Sequence, residues 1–294
     1  MMKKTFFTRA ILSIIGSIPL RVRRRIFIFL FQAFWHVSLR HRMITINNLA
    51  HAFPEKGMST IITVAKGVYR HIAIVAAEIF ELPSLTRSNI GDLVDLEGLE
   101  AAQCRMGTGR AILLFTGHFG NWELLAVSLA LMVRPIAVVY RPLDSPVLEN
   151  LICWIRTAHG NRMLPKERAM RSILRSVKEK EIVGILIDQN TAWQEGVFVD
   201  FFGRSACTTD GLALIARHTG VPVVPAFMVR SESGRYRLIV GDEIEIVSTD
   251  NRKRDVLANT QRFTRVIEDM VRQYPEQWLW IHQRWKTKEI QVRR

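Results

Sequence analysis

The chain has 294 residues, of which 48% are hydrophobic and 23% charged, and a formal net charge of +14. That composition excludes a disordered chain: there is apolar material for one large core or two modest ones, and no Gly/Ser or Pro tract to act as a linker. So basic a chain points to nucleic acid, a membrane surface or an acidic protein, and the distribution of the charge separates these. Residues 1–70 carry 12 Lys/Arg against the single acid Glu55, and residues 284–294 carry five against Glu289, so the stretch between them is almost neutral. A nucleic-acid-binding protein spreads its basic residues over a folded face among aromatics, which this pattern does not do. Cys104, Cys153 and Cys207 lie far apart with no CxxC pair. This suggests neither a disulfide framework nor a thiolate metal site, and fits a reducing compartment.

In chain order, Lys3-Lys4 precede an almost uncharged run from Ala10 to Leu20; Arg21, Arg23, Arg24 and Arg25 follow, and then a second apolar run from Ile26 to Leu39. No small-residue cleavage site follows the first run, so this is not the pattern of a secretory signal. Neither run reaches the roughly 18 residues needed to cross a bilayer core, and joining them would bury four arginines. Residues 1–40 therefore read as a membrane-interfacial helical segment, with the arginines at anionic headgroups and Phe27, Phe29, Phe31, Phe34 and Trp35 in the acyl region. The alternatives are a core helix with a solvated basic turn, or a tilted anchor. Positive charge beside an anchor favours the cytoplasmic face.

Residues 41–294 read as an α/β domain. Apolar residues at spacings of three and four from Ser59 to Leu82 predict a helix capped by Ser59 and ended by Pro83. The runs Ala111–Thr116, Ile136–Tyr140, Ile182–Asp188 and Val221–Val229 predict strands buried on both faces. Helices are predicted between them at Trp122–Met132, Pro146–Ala158, Arg168–Lys178 and Asp210–Thr219. Tyr236–Val240 and Glu243–Val247, split by Gly241-Asp242, predict a hairpin or bulged edge, and a polar helix is expected from Asn251 to Tyr274. The fold class is α/β: a mixed, largely parallel central sheet flanked by helices.

The segment Gly117-His118-Phe119-Gly120-Asn121-Trp122-Glu123 lies between the first buried strand and a helix, where α/β proteins present catalytic groups. It sets an imidazole at the strand end and a carboxylate in the first helical turn. In this reading Glu123 holds one ring nitrogen of His118 and the other nitrogen is the base for a substrate hydroxyl. His-x4-Glu alone is weak evidence, but none of the other seven histidines has an acid five residues on. From the residues alone, a structural histidine stays open beside a catalytic one.

The stretch Thr116 to Glu123 resembles the signature of the bacterial lipid A late acyltransferases. The resemblance covers most of the chain, with matching segments at Asn47-Asn48-Leu49 to Phe53-Pro54, Tyr140-Arg141-Pro142, Asp188-Gln189, Phe201-Phe202-Gly203, and Gln277 to Lys286 through Trp278 and Trp280. It implies transfer of a fatty acyl chain from an acyl thioester to a hydroxyl of a lipid A precursor, with His118 and Glu123 catalytic, no covalent acyl-enzyme, and neither metal nor cofactor. Acyl carrier protein is the preferred donor over coenzyme A, since it is acidic and basic residues here would steer it. Gly120, Asn121, Arg141 and Asp188 are expected to contact substrate. Arg141 would meet a phosphate or the thioester oxyanion, and Asp188 would position the acceptor or pair with a basic residue. The aromatic C-terminal segment reads either as an interfacial belt or as core closing the sheet; core is favoured for Trp278 and Trp280, since interfacial tryptophan usually flanks a span. The expected location is the cytoplasmic face of the inner membrane. A sister enzyme acylating another glycolipid, such as a phosphatidylinositol mannoside, and a hydrolase using the same site remain open.

Overall fold

A computed structural model describes residues 14–107 and 109–289; Lys3, Lys4, the start of the first apolar run, Arg293 and Arg294 lie outside them. Three helices come first: α1 (Leu20–Val37), α2 (Leu39–Ala52) and α3 (Met58–Glu78). Next are α4 (Leu96–Met106), β1 (Ile112–Thr116), α5 (Trp122–Met132), β2 (Ile136–Tyr140), α6 (Pro146–Thr157), β3 (Arg162–Pro165), α7 (Ala169–Lys178) and β4 (Ile182–Leu186). A two-stranded antiparallel ribbon, β5 (Gly196–Phe201) and β6 (Arg204–Thr209), precedes α8 (Gly211–Thr219), β7 (Val223–Arg230), β8 (Tyr236–Val240) and α9 (Arg252–Gln273).

The main sheet has six strands in the order β3-β2-β4-β1-β7-β8, parallel except for β8, which runs antiparallel to β7. Because the β-branched and aromatic runs of the strands alternate sides, each supplies two cores. Leu113, Phe115, Val183, Ile185 and Phe227 pack with α2, α3, α8 and α9, whereas Ile112, Leu114, Ile182, Ala226 and Met228 pack with α4, α5 and α6. Both faces are covered, as a parallel sheet requires. The four expected strands and the four helices between them are present within a few residues. Glu243–Val247 is not a strand, although Ile244 N–H donates to the Val223 carbonyl, and α3 starts one residue after Gly57, not at a Ser59 cap.

The N-terminal helices depart from the interfacial reading in one respect. Arg23 is fully buried: its Nε donates to Ala77 O at 2.8 Å and its guanidinium pairs with Glu81. Arg24 donates through Nε and Nη2 to Glu78 Oε1 at 2.9 and 2.6 Å. Two of the four arginines thus tie α1 to the end of α3 and do not face headgroups, because Glu78, the last residue of α3, and Glu81 just beyond it lie under that turn. Likewise Trp35 is buried edge-on to Tyr69, and Phe27 meets Phe80. Ile26, Phe29, Leu30, Phe34 and Val37 point outward, followed by Leu39 and Met43 of α2. Helix α3 is long and apolar enough to cross a membrane, but half of it is buried within the protein, and it serves as a core helix.

Candidate active site

The β1–β4 register decides the site. Thr116 pairs with Leu186, the last residues of their strands, so the residues two beyond each strand, His118 and Asp188, emerge side by side at the carboxyl edge of the sheet. Asp188 is almost completely buried. Its Oδ1 lies 2.8 Å from His118 Nδ1, and its Oδ2 accepts from His118 N–H and from Trp278 Nε1–H, both at 2.7 Å. A buried carboxylate only accepts, so Nδ1 carries the proton and Nε2 keeps its lone pair, facing outward beside the Gln189 amide nitrogen at 3.4 Å. Burial pushes the Asp188 carboxyl up, but the His118 charge and hydrogen bond, the His282 charge and the Trp278 N–H outweigh it and hold the carboxyl well below the usual carboxylate range. A fixed anion behind an imidazole, with its other nitrogen open to solvent, can accept a proton from a hydroxyl and stabilise the imidazolium that results.

Two glycines make this packing possible. A side chain on Gly117 would press on the Asp188 carboxylate, at 3.0 Å from Oδ2. Gly120 has φ +59° and lies so close to the Met228 carbonyl that any Cβ would overlap it. The Gly120 N–H donates to Gln277 O, its carbonyl accepts from His71 Nε2–H at 3.0 Å, and Leu279 N–H donates to His118 O. The loop is held from three sides.

Glu123 does not take the position expected of it. Its carboxylate accepts from Arg156 Nε of α6 at 2.8 Å, again from the same guanidinium, and from Trp122 Nε1–H at 3.0 Å. It has no hydrogen bond to His118, because the first turn of α5 aims it at α6. Its link to the histidine runs through Trp122, whose indole stands edge-on to the His118 ring at 5.3 Å. Asn121 is buried as the cap of α5: Oδ1 accepts from Leu124 N–H, and Nδ2 donates to Glu78 Oε2. Both Asn121 and Gly120 have their polar groups engaged inside the protein, so they build the loop and offer substrate nothing free. Arg141 is 78% exposed, 3.6 Å from Asp144, and β4 separates its strand from the one bearing His118. Sequence reading missed Trp278, His71 and Arg156 as neighbours of the site, and the only trace of the first was its place in the aromatic C-terminal run.

The model of the bacterial lipid A biosynthesis acyltransferases matches residues 2–287. The chain belongs to this family. A lipid A biosynthesis acyltransferase of Haemophilus influenzae is 25% identical over 281 residues, 95% of this chain and 86% of that one. A lipid A biosynthesis lauroyltransferase of Escherichia coli K12 is 30% identical over 193 residues, covering 65% and 61%. A phosphatidylinositol mannoside acyltransferase of Mycolicibacterium smegmatis is 25% identical over 211 residues, covering 71% and 67%. As a member of the lipid A acyltransferase family, the chain is an O-acyltransferase, and acyl transfer to lipid A is the activity the family supports.

Proposed function

We propose that this acyltransferase moves a fatty acyl chain from an acyl thioester, preferably on acyl carrier protein, to a hydroxyl of a lipid A precursor at the cytoplasmic face of the inner membrane. His118 is the general base. The observation that carries this reading is the 2.8 Å contact between His118 Nδ1 and buried Asp188, with Nε2 turned to the surface beside the Gln189 amide. The acceptor proton passes to Nε2 as the hydroxyl oxygen bonds to the thioester carbonyl carbon. Collapse of the tetrahedral adduct breaks the C–S bond, and the proton moves from the imidazolium to the departing thiolate. No acyl-enzyme forms on this route, and it calls on no metal or cofactor. Asp188 takes the orienting role, while Glu123 positions Trp122 against the ring. Exposed Arg141 at the sheet's carboxyl edge meets the anionic part of a substrate.

Support for the membrane location comes from the outward stripe of Ile26, Phe29, Leu30 and Val37 on α1, one face of a helix with no protein over it among the described residues. The basic N-terminal segment would suit an anionic cytoplasmic leaflet, and an acidic carrier protein would be drawn to the same charge. The mycobacterial relative favours a second acceptor, a phosphatidylinositol mannoside, on the same chemistry. Turnover of an acyl carrier protein thioester with a lipid A precursor tests the base directly: folded His118→Ala should lose activity by orders of magnitude, and parental turnover in that variant would remove His118 from the mechanism.

A further inference from the structure

The C-terminal run around Trp278 and Trp280 reads in the sequence as core, and both indoles are indeed fully buried. Their N–H groups differ. That of Trp280 donates to the Pro275 carbonyl, a local backbone bond, whereas that of Trp278 donates at 2.7 Å to Asp188 Oδ2, the carboxylate that holds His118. The same segment forms an antiparallel bridge from Trp278 to Phe119, and Gln277 and Leu279 bond the backbone on either side of it. Tryptophan at 278 is thus clamped to the histidine loop by backbone while its one polar atom reaches the orienting carboxylate.

We infer that Trp278 is a positioning residue for acyl transfer, setting through its indole N–H how strongly Asp188 holds the His118 ring. This inference rests on the reading of His118 as the base. Each donor on a carboxylate oxygen draws off part of the negative charge that the other oxygen offers to its partner. Asp188 Oδ2 has two donors, the His118 backbone N–H and Trp278; Oδ1 has the ring. The other polar and charged groups around this carboxylate are His282 and Arg284 of the C-terminal segment and Gln189 of its own loop. His282 donates through Nδ1 to Leu279 O, and Arg284 is directed to Cys207 O and Thr208 Oγ1. None of these supplies a hydrogen bond to Oδ2. Removing the indole N–H therefore leaves Asp188 with more charge to place on the ring, which stabilises the imidazolium and makes the resting enzyme's base harder to free of its proton.

The test is the pH profile of kcat/KM with an acyl carrier protein thioester and a lipid A precursor, for the parent, Trp278→Phe and Trp280→Phe. The acidic limb of Trp278→Phe should move to higher pH by about one unit, the scale of one charge-assisted hydrogen bond. Trp280→Phe, which removes the N–H of an equally buried indole but leaves Asp188 untouched, should keep the parental limb whatever it costs in melting temperature. Should Trp278→Phe not fold, 3-benzothienylalanine at 278 keeps the bicyclic shape, replaces N–H by sulfur, and should give the same displacement. An unmoved limb, one displaced to lower pH, or equal displacements at 278 and 280 would overturn the inference. His118→Ala in parallel separates the failures: if it is inactive and the limb does not move, the base stands and only Trp278 is wrong; if it is active, the base itself is wrong.

Discussion

Two carboxylates compete for the role of holding His118, and the outcome turns on what each already bonds. Glu123 is five residues away in sequence and looks adjacent, yet Arg156 neutralises it from the next helix. Asp188 is 70 residues away and touches the ring. Sequence alone presented both acids and the histidine, since each ends a buried strand or begins a helix, but strand order within a sheet is not written in any local pattern, so which acid meets the ring was not legible. The expected consequence is a contrast between variants. Asp188→Asn should lower turnover by about two to four orders of magnitude while keeping near-parental melting, because an amide cannot stabilise the imidazolium or enforce the tautomer. Glu123→Gln should act mainly on the fold, at roughly 3 kcal/mol in urea unfolding, by leaving a largely buried guanidinium without its partner. If Glu123→Gln abolishes turnover at full stability and Asp188→Asn does not, the roles are reversed.

His71 adds a pH dependence at the same scale. Burial, followed by the Arg230 charge and opposed by the Gly120 hydrogen bond, lowers it from 6.5 to about 4. The unfolded chain therefore binds a proton that the folded protein refuses between these values. Its contribution to stability is whole above pH 6.5 and is lost as pH falls toward 4, up to about 3 kcal/mol. In His71→Gln, which keeps a donor for the Gly120 carbonyl, urea unfolding at pH 4.5 and 7.5 should differ less than in the parent by on the order of that amount; an equal difference would show that His71 is not buried as a neutral ring.

Among the elements, the legible ones have long apolar runs or clear helical spacing: β1, β2, β4 and β7 lie on the continuous apolar runs, and α5 and α9 lie within a residue or two of the helices expected there. The ribbon β5–β6 is not legible: only its turn, Phe202-Gly203, carries a signal, and the flanking strands are short and polar in places. Edge strand β3 carries only Leu164 as a buried residue, too little for a pattern. The N-terminal segment combines two features, of which the sequence shows one. Its outward stripe is there, but α1 is also wired into the body through a buried cluster in which Glu78 accepts from Arg24, from Asn121 and, at 2.6 Å, from the Tyr236 hydroxyl. A division of the chain at residue 40 therefore cuts two ion pairs, and a 41–294 fragment should be destabilised. Separating the proposed membrane contact of α1 from its part in the fold needs point changes. Phe29→Asp with Leu30→Asp should abolish co-sedimentation with anionic vesicles at near-parental stability, whereas Arg24→Met should cost roughly 3 kcal/mol in unfolding by stranding the Glu78 charge. Retained vesicle binding by the double aspartate variant at high salt would place the membrane contact elsewhere.

For the molecule as a whole, the excess charge at the two ends is partly internal. Arg23 and Arg284 are buried and Arg24 is paired, so the basic surface open to lipid or to an acidic donor is smaller than the formal count of +14 suggests. What remains is an enzyme with an apolar stripe on one helix and a histidine–aspartate pair at the carboxyl edge of a covered sheet, joined by the Arg24–Glu78–Asn121 chain that runs from that helix to the loop bearing His118. The proposal built on that arrangement is acyl transfer to a lipid hydroxyl at a membrane surface, and the most direct test is mass spectrometry of the lipid formed when the full chain is incubated with vesicles holding a lipid A precursor and an acyl carrier protein thioester. The precursor should gain the mass of one ester-linked acyl chain. A precursor of unchanged mass beside released fatty acid, or acylation of a phosphatidylinositol mannoside in its place, would contradict it.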